Sequence, residues 1–134
     1  MNKYLTAITL ILALTTLSSA NAADWSRFRG PNGTGVDDSS PLPDKFGLDK
    51  NVLWKINLPS SSSSPVFVNG AVFVTASDEE NLIVQRINAK TGKPEWKRKI
   101  KRARNSKIHV QNDSASPTPV VDEKNSTHFS RNSA

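Results

Sequence analysis

The residues best suited to bind another molecule are the cations of one short segment. Seven Lys and Arg side chains fall within residues 97–107, with no acid among them. A run of this kind could bind an anionic surface, and the alternative is a solvated loop between structural units. No aromatic side chain alternates with the cations to stack on bases, and nucleic acid is therefore not an expected partner. The candidate anion-binding residues are Arg98, Lys99, Lys101, Arg102 and Arg104.

The other polar residues do not form a recognisable catalytic or metal-binding pattern. His109 and His128 are the only two histidines, and a metal site needs several converging ligands. The acidic cluster 78–80 lacks the ligand spacing and the turn glycine of a calcium loop. The serine run 60–64 is expected to be a flexible polar loop, with a ligand-binding loop as the alternative. No nucleophile motif is present. The sequence predicts no catalytic residue, no metal and no cofactor.

The elements that would position these residues are predicted to be short β-strands. The apolar, strand-like runs are residues 65–68, 71–76, 82–87 and 94–100. Asn69-Gly70 joins the first two runs, and this dipeptide favours the positive φ angles that a type I′ hairpin turn requires. Residues 64–100 are therefore expected to form a four-stranded antiparallel meander.

Two tryptophans indicate a repeat. Trp54 and Trp96 stand 42 residues apart, each in a strand-like segment, 51–58 and 94–100. A period of about 40 residues with about four strands is typical of a β-propeller blade. The predicted fold class is all-β, a partial β-propeller with one four-stranded blade and the start of another, preceded by a signal-peptide helix. Because propellers close with about 4–8 blades, we expect a fragment of a larger ring.

Residues 1–22 have the pattern of a secretory signal peptide. A positive residue precedes the apolar run 5–17, and Ala20 and Ala22 predict cleavage before Ala23. The run is shorter than the ~20 apolar residues that a membrane-spanning helix needs. The protein is therefore expected to be exported, periplasmic or extracellular, with no membrane span after cleavage. Without any Cys, it must fold without disulfides.

The mature chain divides by composition into three parts. Glycines and prolines are dense in 23–50, which is expected to be an extended leader. The partial propeller covers 51–122, with the blade at 64–100, a basic loop at 101–114 and the next blade starting at 115–122. Residues 123–134 lack alternation and are expected to be a disordered tail. The predicted inner faces of the blade carry Val66, Val68, Val72, Val74, Ile83, Ile87 and Trp96 or their strand neighbours, and Trp54 and Trp96 are expected to pack between adjacent blades.

The segment 88–96 resembles a known repeat. Its sequence, Asn-Ala-Lys-Thr-Gly-Lys-Pro-Glu-Trp, is similar to the Asp-Ala-x-Thr-Gly-x-x-x-Trp motif of the pyrroloquinoline-quinone-like (BamB-like) β-propeller repeat family. Asn88 stands where that family usually has Asp. The leader 25–35 resembles the mature start of secreted members of the family. The signature positions in this chain are Trp54, Asn88, Thr91, Gly92 and Trp96.

The resemblance implies a function only in outline. It is to secreted members that are not dehydrogenases, and so it implies a non-catalytic exported module for protein interaction or scaffolding, without a cofactor. One alternative is a fragment of a quinone-dependent oxidoreductase, although no calcium site or catalytic acid of that type can be assigned. The other alternative is an anion-binding surface protein that uses the basic run 97–107. The expected partners are other proteins or an anionic surface.

Overall fold

The computed structural model describes residues 24–37, 43–102 and 113–122, together with 124, 127 and 128. The predicted signal peptide with Ala20, Ala22 and Ala23 lies outside these residues, as does Arg104. In the described part every regular element is a β-strand, which confirms the all-β class. The strands are β1 Val66–Val68, β2 Ala71–Ser77, β3 Asn81–Asn88, β4 Pro94–Lys101, β5 Val120–Val121 and β6 Thr127–His128. No helix of this part is long and apolar enough to cross a bilayer.

Strands β1 to β4 form one antiparallel sheet in the order β1-β2-β3-β4, which confirms the four-stranded meander. The turn between β1 and β2 has φ of 49° at Asn69 and 71° at Gly70. Both angles are positive, as the type I′ turn requires, and Val68 therefore pairs directly with Ala71. The hairpin turn thus sets the register from which the rest of the sheet follows.

The sheet is apolar on both faces. On the Phe73 face, cross-strand partners run from Val66 through Phe73 and Arg86 to Trp96. On the opposite face, which we call the Ile87 face, Val72 pairs with Ile87. The apolar residues predicted for the inner faces are therefore divided between the two sides. Because β2 is central and covered on both sides, six of its seven residues are buried.

Segments outside the sheet cover each face. Val121 joins the core cluster of Val66, Val68, Ala71 and Phe73, and Thr75 on the same face donates to the carbonyl of Ala115 at 3.1 Å. The Phe73 face is therefore covered by 113–121. The Ile87 face is flanked by residues 54–58. Trp25 continues the sheet beyond β1, since it exchanges backbone hydrogen bonds of 2.7 and 2.9 Å with Phe67.

Residues 52–58 differ from the sequence prediction of a strand. They pair with no strand in the described part of the chain. Their alternation is nevertheless present, because Trp54, Ile56 and Leu58 are half-buried whereas Lys55 and Asn57 are exposed. The segment is extended and directs every second side chain inward, but it lacks the backbone ladder that defines a strand.

A β-bulge interrupts the pairing of β3 with β4. Arg86 pairs with Trp96 and Ile87 with Pro94, which leaves Glu95 as the extra residue. Glu95 forms a 2.8 Å ion pair with Arg86. The extra residue is therefore held by a charge contact beside the bulge.

A second, two-stranded sheet pairs β5 with β6 in antiparallel register. β5 lies within 115–122, where the sequence predicts the next blade to begin. β6 lies within 123–134, for which no regular structure was expected, and only three residues of that segment are described. Most of the predicted basic loop 101–114 lies outside the described residues.

Candidate functional site

The turn between β3 and β4 is built by the side chain of Asn88. Its Oδ1 accepts hydrogen bonds of 3.1 Å from the backbone N–H groups of Lys90 and Thr91. The N–H of Gly92 donates to the Asn88 carbonyl at 2.9 Å, and Gly92 has a φ of +69°. Asn88 thus supplies the same acceptor oxygen that an Asp at this position would supply.

Trp54 packs directly on this turn. A Cβ atom on Gly92 would lie 2.6 Å from Cγ of Trp54, so only a glycine allows the indole to lie so close. The indole Nε1 donates a 2.7 Å hydrogen bond to the carbonyl of Ala89. Four of the five signature positions, Trp54, Asn88, Thr91 and Gly92, therefore meet at one place, which we call the indole-turn site.

Trp96, the fifth signature position, lies away from this site. Its ring packs edge-on against Phe73, with centroids 6.0 Å apart and an angle of 66°. The guanidinium of Arg98 lies 5.9 Å from the Trp96 ring centroid. Trp96 therefore belongs to the Phe73 face, whereas Trp54 lies beside the Ile87 face. The two indoles are on opposite sides of the sheet.

Two of the candidate anion-binding residues contact the turn between β2 and β3. Lys99 Nζ lies 3.3 Å from Asp78 Oδ2. Arg102 donates its backbone N–H to the Glu80 carbonyl at 2.8 Å and its Nη1 to the Glu79 carbonyl at 3.2 Å. These contacts hold the end of β4 against the turn. Lys99 and Arg102 therefore have a structural role in addition to any role in binding anions.

The remaining candidates differ from one another in their surroundings. Arg98 and Lys101 are exposed, and the Arg98 guanidinium lies over Trp96 as described above. Arg104 falls outside the described residues. Lys97, which was not among the candidates, is also exposed on β4. Among the described cations of the basic run, Lys97, Arg98 and Lys101 are exposed and make no ion pair, and Lys99 is exposed but paired with Asp78.

The acidic cluster 78–80 is a hydrogen-bonded turn. Asp78 Oδ1 accepts from the side chain of Asn81 at 2.9 Å and from the backbone N–H groups of Asn81 and Glu80 at 2.6 and 3.1 Å. These bonds, with that from the Asn81 side chain the strongest influence, lower the pKa of Asp78 from 3.8 to about 2. Within the described residues, no group of three or more His, Cys, Asp or Glu side chains could hold a metal ion.

The serine run, expected from its composition to be a flexible polar loop, makes four specific hydrogen bonds in this structure. Ser60 and Ser62 donate to Asp113 Oδ2 at 3.1 and 2.9 Å. Ser61 and Ser63 donate to the carbonyl of Thr75 at 2.5 and 3.2 Å. The loop therefore provides hydrogen-bond donors to the Thr75 carbonyl of β2, at a point on the strand that β1 does not reach. Through Asp113 the loop also connects β2 to the segment that covers the Phe73 face. Asp113 carried no sequence signal for this role, because its partners stand more than 50 residues away.

An apolar groove lies along the Ile87 face. It has a volume of about 470 Å³ and runs between residues 54–58 and the side chains of Val72, Val74 and Ile87, with Pro65 beside them. Its lining offers hydrophobic contact but few polar groups to orient a small ligand. The groove is therefore better suited to packing than to chemistry.

The described contacts join chain segments; they do not bring a nucleophile and a base together. The serine hydroxyls are directed at a carboxylate and at a backbone carbonyl, and the exposed cations lie along β4. No family model, no curated protein and no solved structure matches the chain.

Proposed function

We propose that the chain is a non-catalytic exported β-propeller module for protein interaction or scaffolding, of the pyrroloquinoline-quinone-like repeat type. Residues 64–100 are its blade, and 115–122 begin the next. The observation that carries the proposal is the indole-turn site, in which Trp54 packs on Gly92 of the turn that follows β3.

The indole-turn site is a contact between repeat units in this proposal. Trp54 stands 42 residues before Trp96, the length of one period, and so it occupies the equivalent position in the preceding unit. A repeat unit cannot bury its apolar faces alone and must pack against its neighbours. The contact of Trp54 with the 88–92 turn is what such packing requires.

The covering of both sheet faces supports the same arrangement. The Ile87 face is flanked by 54–58, which precede the sheet, and the Phe73 face by 113–121, which follow it. A blade in a ring has one neighbour on each face, the earlier one on one side and the later one on the other. The order of the covering segments along the chain agrees with this.

Export is proposed from residues 1–22 alone. The test is mass spectrometry of the N-terminal peptide of the protein recovered from the periplasm or medium of a bacterial host. A mature N-terminus at Ala23 supports the proposal, and retention of the full chain in the cytoplasm contradicts it.

A tandem chain tests the propeller arrangement. A second copy of residues 55–96 is inserted directly after Trp96. Trp96 then precedes the copied 88–92 turn by the same number of residues as Trp54 precedes the original turn. We expect the indole N–H of Trp96 to become protected from hydrogen exchange, because it gains the carbonyl that Ala89 offers to Trp54.

The matched control is the same tandem chain with Gly→Val at the copied Gly92 position. A side chain there leaves no room for the indole, and the protection of Trp96 should be lost. If Trp96 is equally exposed in the tandem chain and in its control, the two tryptophans are not equivalent and the propeller arrangement is wrong.

A further inference from the structure

We propose that the outer edge of β4 docks an extended acidic peptide segment, which pairs with the sheet as a fifth strand. The edge is defined by the backbone of Lys97, Lys99 and Lys101. This inference deepens the interaction role proposed above by naming the class of partner. It rests on that role, but it does not depend on the propeller arrangement.

The backbone of β4 offers hydrogen-bonding groups on its outer side. Arg102 donates its N–H to Glu80 at 2.8 Å, and the register continues with Ile100 opposite Leu82 and Arg98 opposite Val84. In an antiparallel ladder every second residue directs its N–H and C=O to the partner strand. Those of Arg98, Ile100 and Arg102 therefore face β3. Those of Lys97, Lys99 and Lys101 face outward.

No strand in the described part of the chain covers this edge, because β4 pairs only with β3. Every residue of β4 except Trp96 is exposed. Natural sheets protect such edges with charged side chains, especially Lys, and with proline, bulges or short strands. Here Pro94 and the bulge at Glu95 protect the beginning of the strand. The lysines within 97–101 oppose pairing with a strand of like charge, but they leave the outward backbone groups available to a strand of opposite charge.

The positive charges of the lysines on this edge favour a negatively charged partner. The side chains of Lys97, Lys99 and Lys101 project to one face, and Arg98 projects to the other. Lys99 is held by Asp78, whereas Lys97 and Lys101 make no ion pair within the described residues. A paired strand would place its side chains about 5 Å from these lysines. Acidic residues at alternate positions of that strand would therefore meet them.

A second copy of this chain does not fit the edge. Pairing of two β4 strands would bring Lys and Arg side chains opposite one another, and like charges directly opposite destabilise a sheet. An acidic strand has the complementary charge and can also use the three outward N–H groups. Addition of a strand to an exposed edge is an established mode of peptide recognition, in which the backbone provides much of the affinity.

The test uses the full chain and a fluorescein-labelled peptide of about ten residues, alternating Glu with Val and Thr, with both ends blocked. Its control carries the same side chains but has N-methyl groups on alternate backbone nitrogens, which prevent strand pairing. We expect the unmodified peptide to bind, with affinity falling as salt rises. The methylated peptide should bind roughly tenfold or more weakly, because it loses backbone hydrogen bonds.

Two substitutions at one position separate backbone pairing from charge. Lys97→Gln removes a charge and keeps the outward N–H, whereas Lys97→Pro removes both. An edge proline does not break a bond to β3, so the sheet should persist, and circular dichroism checks this. We expect Lys97→Gln to weaken binding a few-fold and Lys97→Pro to weaken it roughly tenfold further.

Three results would overturn the proposal. One is no measurable binding of the unmodified peptide. Another is equal affinity for the methylated and unmodified peptides, which means attraction by charge alone. The third is tighter binding of duplex DNA or of phosphatidylserine vesicles than of the peptide. None of these results alters the exchange of Trp96 in the tandem chain, so failure here is distinguishable from failure of the propeller arrangement.

Discussion

Gly92 and Gly70 have nearly the same φ angle but different surroundings. Their φ angles are +69° and +71°, and a Cβ on Gly92 would lie 2.6 Å from Trp54, whereas one on Gly70 would meet nothing within 4 Å. We expect Gly70→Ala to cost about 1 kcal/mol of unfolding free energy from the backbone alone. Gly92→Ala should cost about 3 kcal/mol, because the indole must also move. Urea unfolding of both variants measures the difference.

The excess cost at Gly92 should depend on Trp54. The Cβ of Trp54 also lies within 2.8 Å of that position, so the background variant must be Trp54→Gly. In that background Gly92→Ala has no side chain of residue 54 to displace, and its cost should fall to that of Gly70→Ala. An excess that persists without the indole would mean that Trp54 does not occupy the turn.

Asp78 makes the stability of the protein dependent on acid pH. Its pKa falls from 3.8 to about 2 in the folded state, chiefly through the hydrogen bond from the Asn81 side chain. A lowered carboxyl pKa stabilises the fold above the unfolded value, and this contribution is lost as pH falls from about 4 to about 2. Asp78→Asn keeps the acceptor oxygen but cannot titrate. We expect a smaller loss of stability in this variant over that range, measured by urea unfolding at each pH.

The control for Asp78 is Glu79→Gln, at an adjacent exposed carboxylate of the same turn. It should lose stability over the same pH range as fully as the unsubstituted chain does. If Asp78→Asn has the same pH dependence as this control, the hydrogen bonds of the turn do not hold the carboxylate ionised.

At the scale of elements, Thr75 links the central strand to the segment above it. Its buried hydroxyl lies 3.1 Å from the carbonyls of both Ala115 and Pro117. Thr75→Val keeps the shape of the side chain but leaves these two carbonyls without the donor. We expect a loss of about 1–3 kcal/mol of unfolding free energy, measured by urea titration.

A surface threonine serves as the reference for that substitution. Thr34 bonds only within its own exposed turn, and Thr34→Val should change stability by less than about 0.5 kcal/mol. Equal effects at the two positions would show that 113–121 contributes little to the stability of the sheet.

The strands were predictable because their signals are local. Asn69-Gly70 and the β-branched runs beside it specify a hairpin within a few residues, and the structure confirms it. The extended segment 52–58 has the alternation of a strand. The prediction of a strand there is wrong because alternation indicates only that one side of a segment is buried. It does not indicate whether the backbone pairs with another strand.

The candidate site was predictable only in part. The turn at 88–92 follows from its own residues, but the contacts of Lys99 and Arg102 with the 78–80 turn depend on the register of β3 with β4. The hydrogen bonds of the serine loop were not predictable, because composition does not reveal that Asp113, distant in the chain, accepts its hydroxyl hydrogens. Such partners require the folded arrangement.

At the scale of the whole molecule, large apolar side chains remain on the surface. The exposed fractions are 79% for Phe46, 81% for Leu48 and 86% for Leu53. Exposed apolar surface favours association. We expect Leu53→Lys to leave the unfolding free energy within about 0.5 kcal/mol while it lowers the fraction of associated protein in sedimentation velocity.

The comparison for Leu53 is Val120→Lys, at a less exposed apolar residue that belongs to β5. If both substitutions reduce association equally, charge repulsion is the cause and the surface near Leu53 is not special. A specific role for that surface requires the larger effect at Leu53.

The surplus residue in β4 decides which way the whole strand is turned. Arg86 stands opposite Trp96 because Glu95 is left out of the ladder. Without that surplus, Arg86 would stand opposite Glu95, and the indole would rotate to the side of Ile87. Every cation that follows would change sides with it. A single inserted residue therefore determines on which face of the sheet the Trp96 indole lies, and on which face each cation of β4 lies.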